Sequence, residues 1–186
     1  MNSVRTRSWA LGLLVVSTTL TLSGVRAQER LVVNSDRDSL IAAAREIITT
    51  ARYCALITID STGRPQARAM DPFPPEDDMT IWLGTNSSSR KVKEIRNNSR
   101  ITLYYADCEG SGYVSIAGIA RLVDDEKERT RRWKKEWESF FMGRKDIYAL
   151  IEVTPVKLEI LSYKHGITGD ANTWKTPSVS FEPGNR

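Results

Sequence analysis

Ile81-Trp82-Leu83-Gly84-Thr85-Asn86-Ser87-Ser88-Ser89-Arg90-Lys91 starts as an apolar strand, passes through hydroxyl and amide side chains, and ends in two adjacent cations. Val92 and Ile95 follow at helical spacing, so a helix begins where the polar exit of the strand ends. A helix N-terminus presents unpaired N–H groups and the positive end of the helix dipole. Ser87, Ser88 and Ser89 add O–H donors, Arg90 a planar fork and Lys91 a point charge. Such a strand-turn-helix passage suits a phosphate group. Taken alone, the stretch reads equally well as a surface helix with solvated charges.

Working outward, Ser35 is placed to cap a helix over residues 36–52, with Asp38 at the reciprocal position. Leu40, Ile41, Ala44, Ile47, Ile48 and Ala51 recur on one face of it. Residues 54–60 (CALITID) read as a strand, 61–65 as a turn and 66–73 as a second strand, ended by Pro72, Pro74 and Pro75. A third strand falls over 79–84, a short helix over 88–97 and a fourth strand over 100–106. Residues 112–123 form a long β-branched strand with Gly118 as a bulge or bend. Asp124 or Asp125 caps a charged helix over 125–141, whose Trp133, Trp137, Phe140 and Phe141 share one face and read as packing residues. A last strand covers 149–163, interrupted at Pro155. Six mostly antiparallel strands with few helices predict a mainly β (α+β) fold, a small barrel with flanking helices.

The N-terminus sets the expected compartment. Arg5 and Arg7 precede an apolar stretch over 9–22, and Val25-Arg26-Ala27 resembles a small-x-small cleavage site. This is the layout of a signal peptide over 1–27. The apolar stretch is shorter than the about 20 residues of a bilayer span; an uncleaved anchor is the alternative. The expectation is a periplasmic or secreted protein, with no stable membrane insertion after cleavage.

Of the 27 Lys and Arg residues, Arg5, Arg7 and Arg26 fall in residues 1–27, where there is no acid. The remaining 24 basic residues face 23 acidic ones, so the basic balance belongs largely to the leader and argues for no nucleic-acid partner. The chain has two cysteines, Cys54 and Cys108, and one histidine, His165. That leaves no metal-ligand cluster to expect, and no nucleophile–base constellation. Whether the two cysteines pair is open at this point.

Three segments, in this order, resemble the flavin-binding split β-barrel family of pyridoxamine 5′-phosphate oxidases, in its general stress protein 26-like branch. The first is Gly63-Arg64-Pro65-Gln66-Ala67-Arg68-Ala69-Met70, similar to the family's second strand. The second is Trp82-Leu83-Gly84-Thr85-Asn86-Ser87-Ser88-Ser89-Arg90-Lys91, similar to its phosphate segment. The third is Asn98-Ser99-Arg100-Ile101-Thr102-Leu103-Tyr104-Tyr105, followed by Tyr113-Val114-Ser115-Ile116-Ala117-Gly118. The resemblance covers residues 36–165 and implies a homodimeric split barrel over 28–165 with a tail over 166–186.

It also implies FMN in a groove between subunits. Arg68 and Lys91 would be the main cationic phosphate contacts, with Thr85, Ser89 and Arg90 in support. The backbones of Ala69, Met70 and Gly84 would face the ribityl chain or ring, Trp82 would flank the ring, and Trp174 would reach the partner's flavin. Flavin carries the redox chemistry itself, so no catalytic residue is required of the protein. The family's basic C-terminal segment is absent: residues 166–175 read GITGDANTWK. The resemblance therefore implies an FMN-dependent oxidoreductase of a small redox molecule, other than a true pyridoxamine phosphate oxidase. The alternatives are an oxidoreductase of the same fold using the deazaflavin F420, and a non-enzymatic flavin- or haem-binding protein.

Overall fold

Strict alternation builds the sheet. In β1 (Cys54–Ile59) Cys54, Leu56 and Thr58 are buried, while Ala55, Ile57 and Ile59 are less so. The same rule repeats in β4 (Arg100–Ala106) and β5 (Gly112–Val123), as a half-buried sheet requires. The computed structural model describes residues 37–108, 110 and 112–182; the signal-peptide reading and the Ser35 cap lie outside them.

Along the chain come α1 (Arg37–Ala51), β1, β2 (Pro65–Met70), β3 (Ile81–Asn86), α2 (Arg90–Asn97), β4, β5, α3 (Glu126–Arg131), α4 (Glu138–Phe141), β6 (Tyr148–Ser162) and β7 (Ser178–Ser180). Six strands form one curled antiparallel sheet in the order β2-β1-β4-β5-β6-β3, and β7 pairs with β6. The sheet nearly closes. Between its end strands β2 and β3 there is an isolated bridge, Pro72 to Leu83, and one bond from the Phe73 N–H to the Trp82 carbonyl at 2.9 Å. This is the split barrel expected from the sequence. β7 lies in the expected tail, so that segment also contributes to the sheet.

Inside the curl, α1 buries Leu40, Ala44, Ile47 and Ile48 against Leu56, Leu103, Ile116 and Ile160. A second cluster lies on the opposite face of β3 and joins Trp82, Trp137, Phe141, Tyr148 and Leu150.

Gly118 is the bulge. The register shifts between Ala117 and Gly118, so that Gly118 pairs with Pro155 and Ala117 with Lys157. A Cβ at Gly118 would sit 2.8 Å from the Thr154 carbonyl oxygen. Pro155, which lacks an N–H, is tolerated at this irregularity, and β6 runs through it unbroken.

The helix expected over 125–141 is broken. It starts well, with the Asp125 carboxylate accepting from the Glu128 N–H at 2.9 Å. Lys134 is then extended, and a short 3-10 turn and α4 follow. Tertiary bonds outweigh the local preference here. The Tyr148 hydroxyl donates to the Arg132 carbonyl at 2.7 Å, and the Lys134 ammonium donates to the Pro72 carbonyl at 2.8 Å. Trp133, Trp137 and Phe141 do pack together, but Phe140 is not on their face: it points outward and is 80 % exposed.

Candidate functional site

The open seam between β2 and β3 is where α2 begins. Register places Arg68 opposite Leu56 and Gln66 opposite Thr58, so all four share the inner face of the hairpin. On β3, Leu83 is buried in the core, and Thr85, two residues on, is buried on the same face. The turn after β3 is shaped by Asn86. Its side-chain oxygen accepts from the Ser88 N–H at 2.8 Å, and its carbonyl accepts from the Ser89 N–H at 2.9 Å. Ser89 is the N-cap residue of α2, yet its hydroxyl makes no capping bond and lies 3.4 Å from the Thr85 hydroxyl. The Lys91 ammonium donates to Thr85 Oγ1 at 3.0 Å. Thr85, Ser89 and Lys91, expected to act together, are brought together.

Lys91 is half-buried, and among the described residues no carboxylate lies within ion-pair distance of it. Burial, followed by the charge of Arg68, holds its pKa below 10.5, with Glu94 opposing. An ammonium removed from water beside two guanidinium groups is electrostatically uncomfortable until an anion joins it.

Arg68 and Arg90 differ from Lys91. Both are engaged by Glu94, a buried carboxylate that sequence reasoning missed. Arg68 Nη2 donates to Glu94 Oε2 at 2.8 Å, while its Nη1 donates to Thr58 Oγ1 at 2.5 Å and to the Gln66 carbonyl at 3.0 Å. The Thr58 hydroxyl in turn donates to Glu94 Oε2 at 2.5 Å. Arg90 Nε lies 3.1 Å from Glu94 Oε1, without the alignment of a hydrogen bond, and its Nη2 donates to Gln66 Oε1 at 3.1 Å. Burial raises the Glu94 pKa, but hydrogen bonds from Thr58 and Arg68 and the charges of Arg68 and Arg90 outweigh it, so the carboxyl sits below 4.5. The available signal was its spacing: Glu94 lies four residues after Arg90 and beside the buried Ile95.

Glu94 thus holds two of the three cations, Arg68 and Arg90, and leaves Lys91 without a carboxylate within ion-pair distance among the described residues. Next to them opens a cleft of about 500 Å³ whose lining includes Thr85, Ala69, Met70 and Gly84 but not Arg68, Ser89, Arg90 or Lys91. Trp137 forms one wall, its ring so close over Gly84 that any Cβ there would collide with it.

Two expected site residues are not in this arrangement. Trp82 shares the outer face of β3 with Gly84, but the Arg132 guanidinium lies 3.8 Å above its ring and leaves it 5 % exposed. Arg132 is held there by Glu76 at 2.5 Å. Trp174, expected to reach a partner's flavin rather than this chain's own, is 85 % exposed on the tail, at φ 58, and does not line this cleft.

Elsewhere, His165 bridges Ser162 Oγ at 2.8 Å and Glu46 Oε2 at 2.9 Å, but Ser162 is fully buried and offers no accessible nucleophile. Cys54 is buried and Cys108 exposed; both are free thiols.

Residues 40–164 match the family described as "Pyridoxamine 5'-phosphate oxidase like". General stress protein 26 of Bacillus subtilis (strain 168) is 30 % identical over 121 residues, which span 63 % of this chain and 84 % of that protein. A Clostridium acetobutylicum protein related to general stress protein 26 superposes with a TM-score of 0.64 at 20 % identity, covering 78 % of this chain and 96 % of that one. A Nostoc punctiforme protein described as pyridoxamine 5′-phosphate oxidase-related and FMN-binding superposes with a TM-score of 0.56 at 17 % identity, covering 79 % of this chain and 97 % of that one. With most of the barrel inside the matched region, this chain belongs to the pyridoxamine 5′-phosphate oxidase-like family.

Proposed function

We propose that this protein is an FMN-binding oxidoreductase that holds the cofactor's phosphate at the seam between β2 and β3. The observation that carries this reading is the half-buried Lys91, which has no carboxylate within ion-pair distance among the described residues. A phosphate monoester carries nearly two negative charges at neutral pH and accepts several hydrogen bonds. Lys91, the uncapped Ser89 hydroxyl and Thr85 supply donors in one place. Arg68 and Arg90 add positive field from fixed positions, because Glu94 holds both. The adjoining cleft, lined by Ala69 and Met70 beside the Trp137 wall, supports a ring there. A bound flavin supplies electron or hydride transfer itself; these residues bind, orient and exclude water. The substrate in this reading is a small redox molecule.

The homodimer implied by family membership remains part of the proposal. The outer face of the sheet, with Tyr104 stacked on Tyr113 at 5.4 Å and with Ile119 and Val156 exposed, supports it as the face that pairs. Export to the periplasm or medium also stands as a proposal, resting on residues 1–27.

The test is an absorption spectrum of purified protein mixed with FMN and passed through gel filtration. About one retained flavin per subunit is expected. A folded protein that retains none refutes the reading. Retention of the deazaflavin F420 in its place would move the assignment to that cofactor.

A further inference from the structure

A second cavity of about 300 Å³ adjoins the cleft, and Arg52, Asp71 and Glu136 line both. Ile48 from α1, with Pro72, Phe73 and Pro74 from the segment after β2, gives this second cavity an apolar surface. Four charged side chains also line it. Lys134 and Asp71 neutralise each other, with Nζ 2.8 Å from Oδ1. Arg52 and Glu136 do not: among the described residues neither has an oppositely charged group within ion-pair distance, and they do not meet each other.

Both are exposed to arriving molecules, and both are fixed from behind. Arg52, at φ 58, centres a turn in which the Tyr53 N–H donates to the Ala51 carbonyl at 2.6 Å. A three-residue turn with positive φ at its centre is the rare and strained kind, and such strain persists where the surroundings enforce it. The Arg52 guanidinium carbon lies 5.1 Å from the Tyr53 ring centroid, so it rests over that ring instead of reaching for Glu136. Glu136 sits in the 3-10 turn Lys135–Trp137, and both flanks of that turn are tied to Asp71, by Lys134 and by Trp137 Nε1 at 3.4 Å. Two opposite charges, each unmatched and held apart where two cavities meet, suit a ligand that carries both charges itself. A lone anion drawn to Arg52 would be repelled by Glu136, and a lone cation the reverse.

We infer that the junction of the two cavities is a binding site for a small zwitterion with an amino-acid-type head group, its carboxylate held by Arg52 and its ammonium by Glu136. The apolar remainder of the ligand lies in the second cavity, against Phe73 and its flanking prolines. The head group then stands at the edge of the cleft. That this ligand is the substrate rests on the flavin reading above; the site itself rests on the two unmatched charges.

The experiment is an NMR titration of the nitrogen-labelled full chain with three probes that share a phenyl ring. Phenylalanine carries both charges, hydrocinnamate the carboxylate alone and phenethylamine the ammonium alone. Each is run on wild type, Arg52→Gln and Glu136→Gln, with thermal melts of all three proteins, and wild type is tested separately for FMN retention. Wild type is expected to bind phenylalanine at least about ten-fold more tightly than either singly charged probe. Arg52→Gln should bind phenylalanine no better than phenethylamine, and Glu136→Gln no better than hydrocinnamate. Both side chains are exposed, so the melts should match wild type. If wild type binds the three probes alike, or binds none, the site is overturned, and retained FMN would leave the flavin reading standing. A preference for phenylalanine that survives both substitutions overturns it too. The expected order in a wild type that retains no FMN upholds the site, and only the flavin reading falls.

Discussion

Replacing Lys91 with Met separates a functional lysine from a structural one. Methionine keeps the apolar stem that lies along the seam and removes the charge. In the unliganded protein two effects oppose each other. The hydrogen bond to Thr85 at 3.0 Å is lost, which costs about 1 kcal/mol. A half-buried ammonium beside Arg68, held below its ordinary pKa by burial and then by the Arg68 charge, is also removed, which works against that loss. Unliganded stability should therefore stay within about 1 kcal/mol of wild type. Binding has no such offset. Losing a charge-assisted contact to phosphate costs about 1.5–3 kcal/mol, so the Kd for FMN should rise roughly ten- to hundred-fold. Urea denaturation without ligand and a fluorescence titration with FMN measure the two quantities on one preparation. An unchanged Kd would refute the phosphate assignment. A loss of more than about 2 kcal/mol in unliganded stability would refute the claim that Lys91 is held there for a ligand.

Glu94→Gln should behave in the opposite way, losing about 2–4 kcal/mol of stability at pH 7 because Arg68 is left partly buried without its counter-charge. The Glu94 pKa is lowered on folding, so its contribution is complete above pH 4.5 and disappears as pH falls through the folded value. Melts of the two proteins should converge in acid, and a gap that persists there would contradict the ion-pair account. Gly84→Ala should cost about 1–3 kcal/mol and red-shift tryptophan emission, since its methyl would displace the Trp137 ring; an unchanged spectrum would show that the ring is not seated there. Burial pushes the Cys54 thiol up to about 12, whereas Cys108 is exposed, so a thiol reagent at pH 8 should titrate one group per native chain and two after denaturation. Two fast-reacting thiols in the native protein would place Cys54 at the surface.

Much of the fold was legible because alternation and β-branching are local signals. The bounds of β4 and β5 follow directly from RITLYYA and GYVSIAGIARLV, and Gly118 marks its own bulge. The turn from Thr85 to Lys91 was legible because its residue types have few other uses in such close succession. What stayed hidden depends on partners distant in the chain. Glu94 reads as one more solvated helix charge until Thr58 and Arg68, from a hairpin some 26 to 36 residues earlier, close over it. The break after α3 is set by Tyr148 and Pro72, which residues 125–141 do not contain. Trp82 looked like a ring neighbour because strand order placed it near Gly84; Arg132, reaching over from the end of α3, is what covers it. Arg52 and Tyr53 carry no motif and become visible when the end of α1 is placed beside the cleft.

β2 ends the sheet, paired with β1 on one side and with no strand along its outer edge among the described residues. An unpaired strand edge is a template for pairing with another chain, and Pro65 and the charge on Arg68 are the kinds of residue that discourage it. The side chain that adds positive field for a phosphate therefore also guards the edge against self-association. A variant that neutralises Arg68 carries two burdens at once, and its solubility at high concentration will be as informative as its affinity.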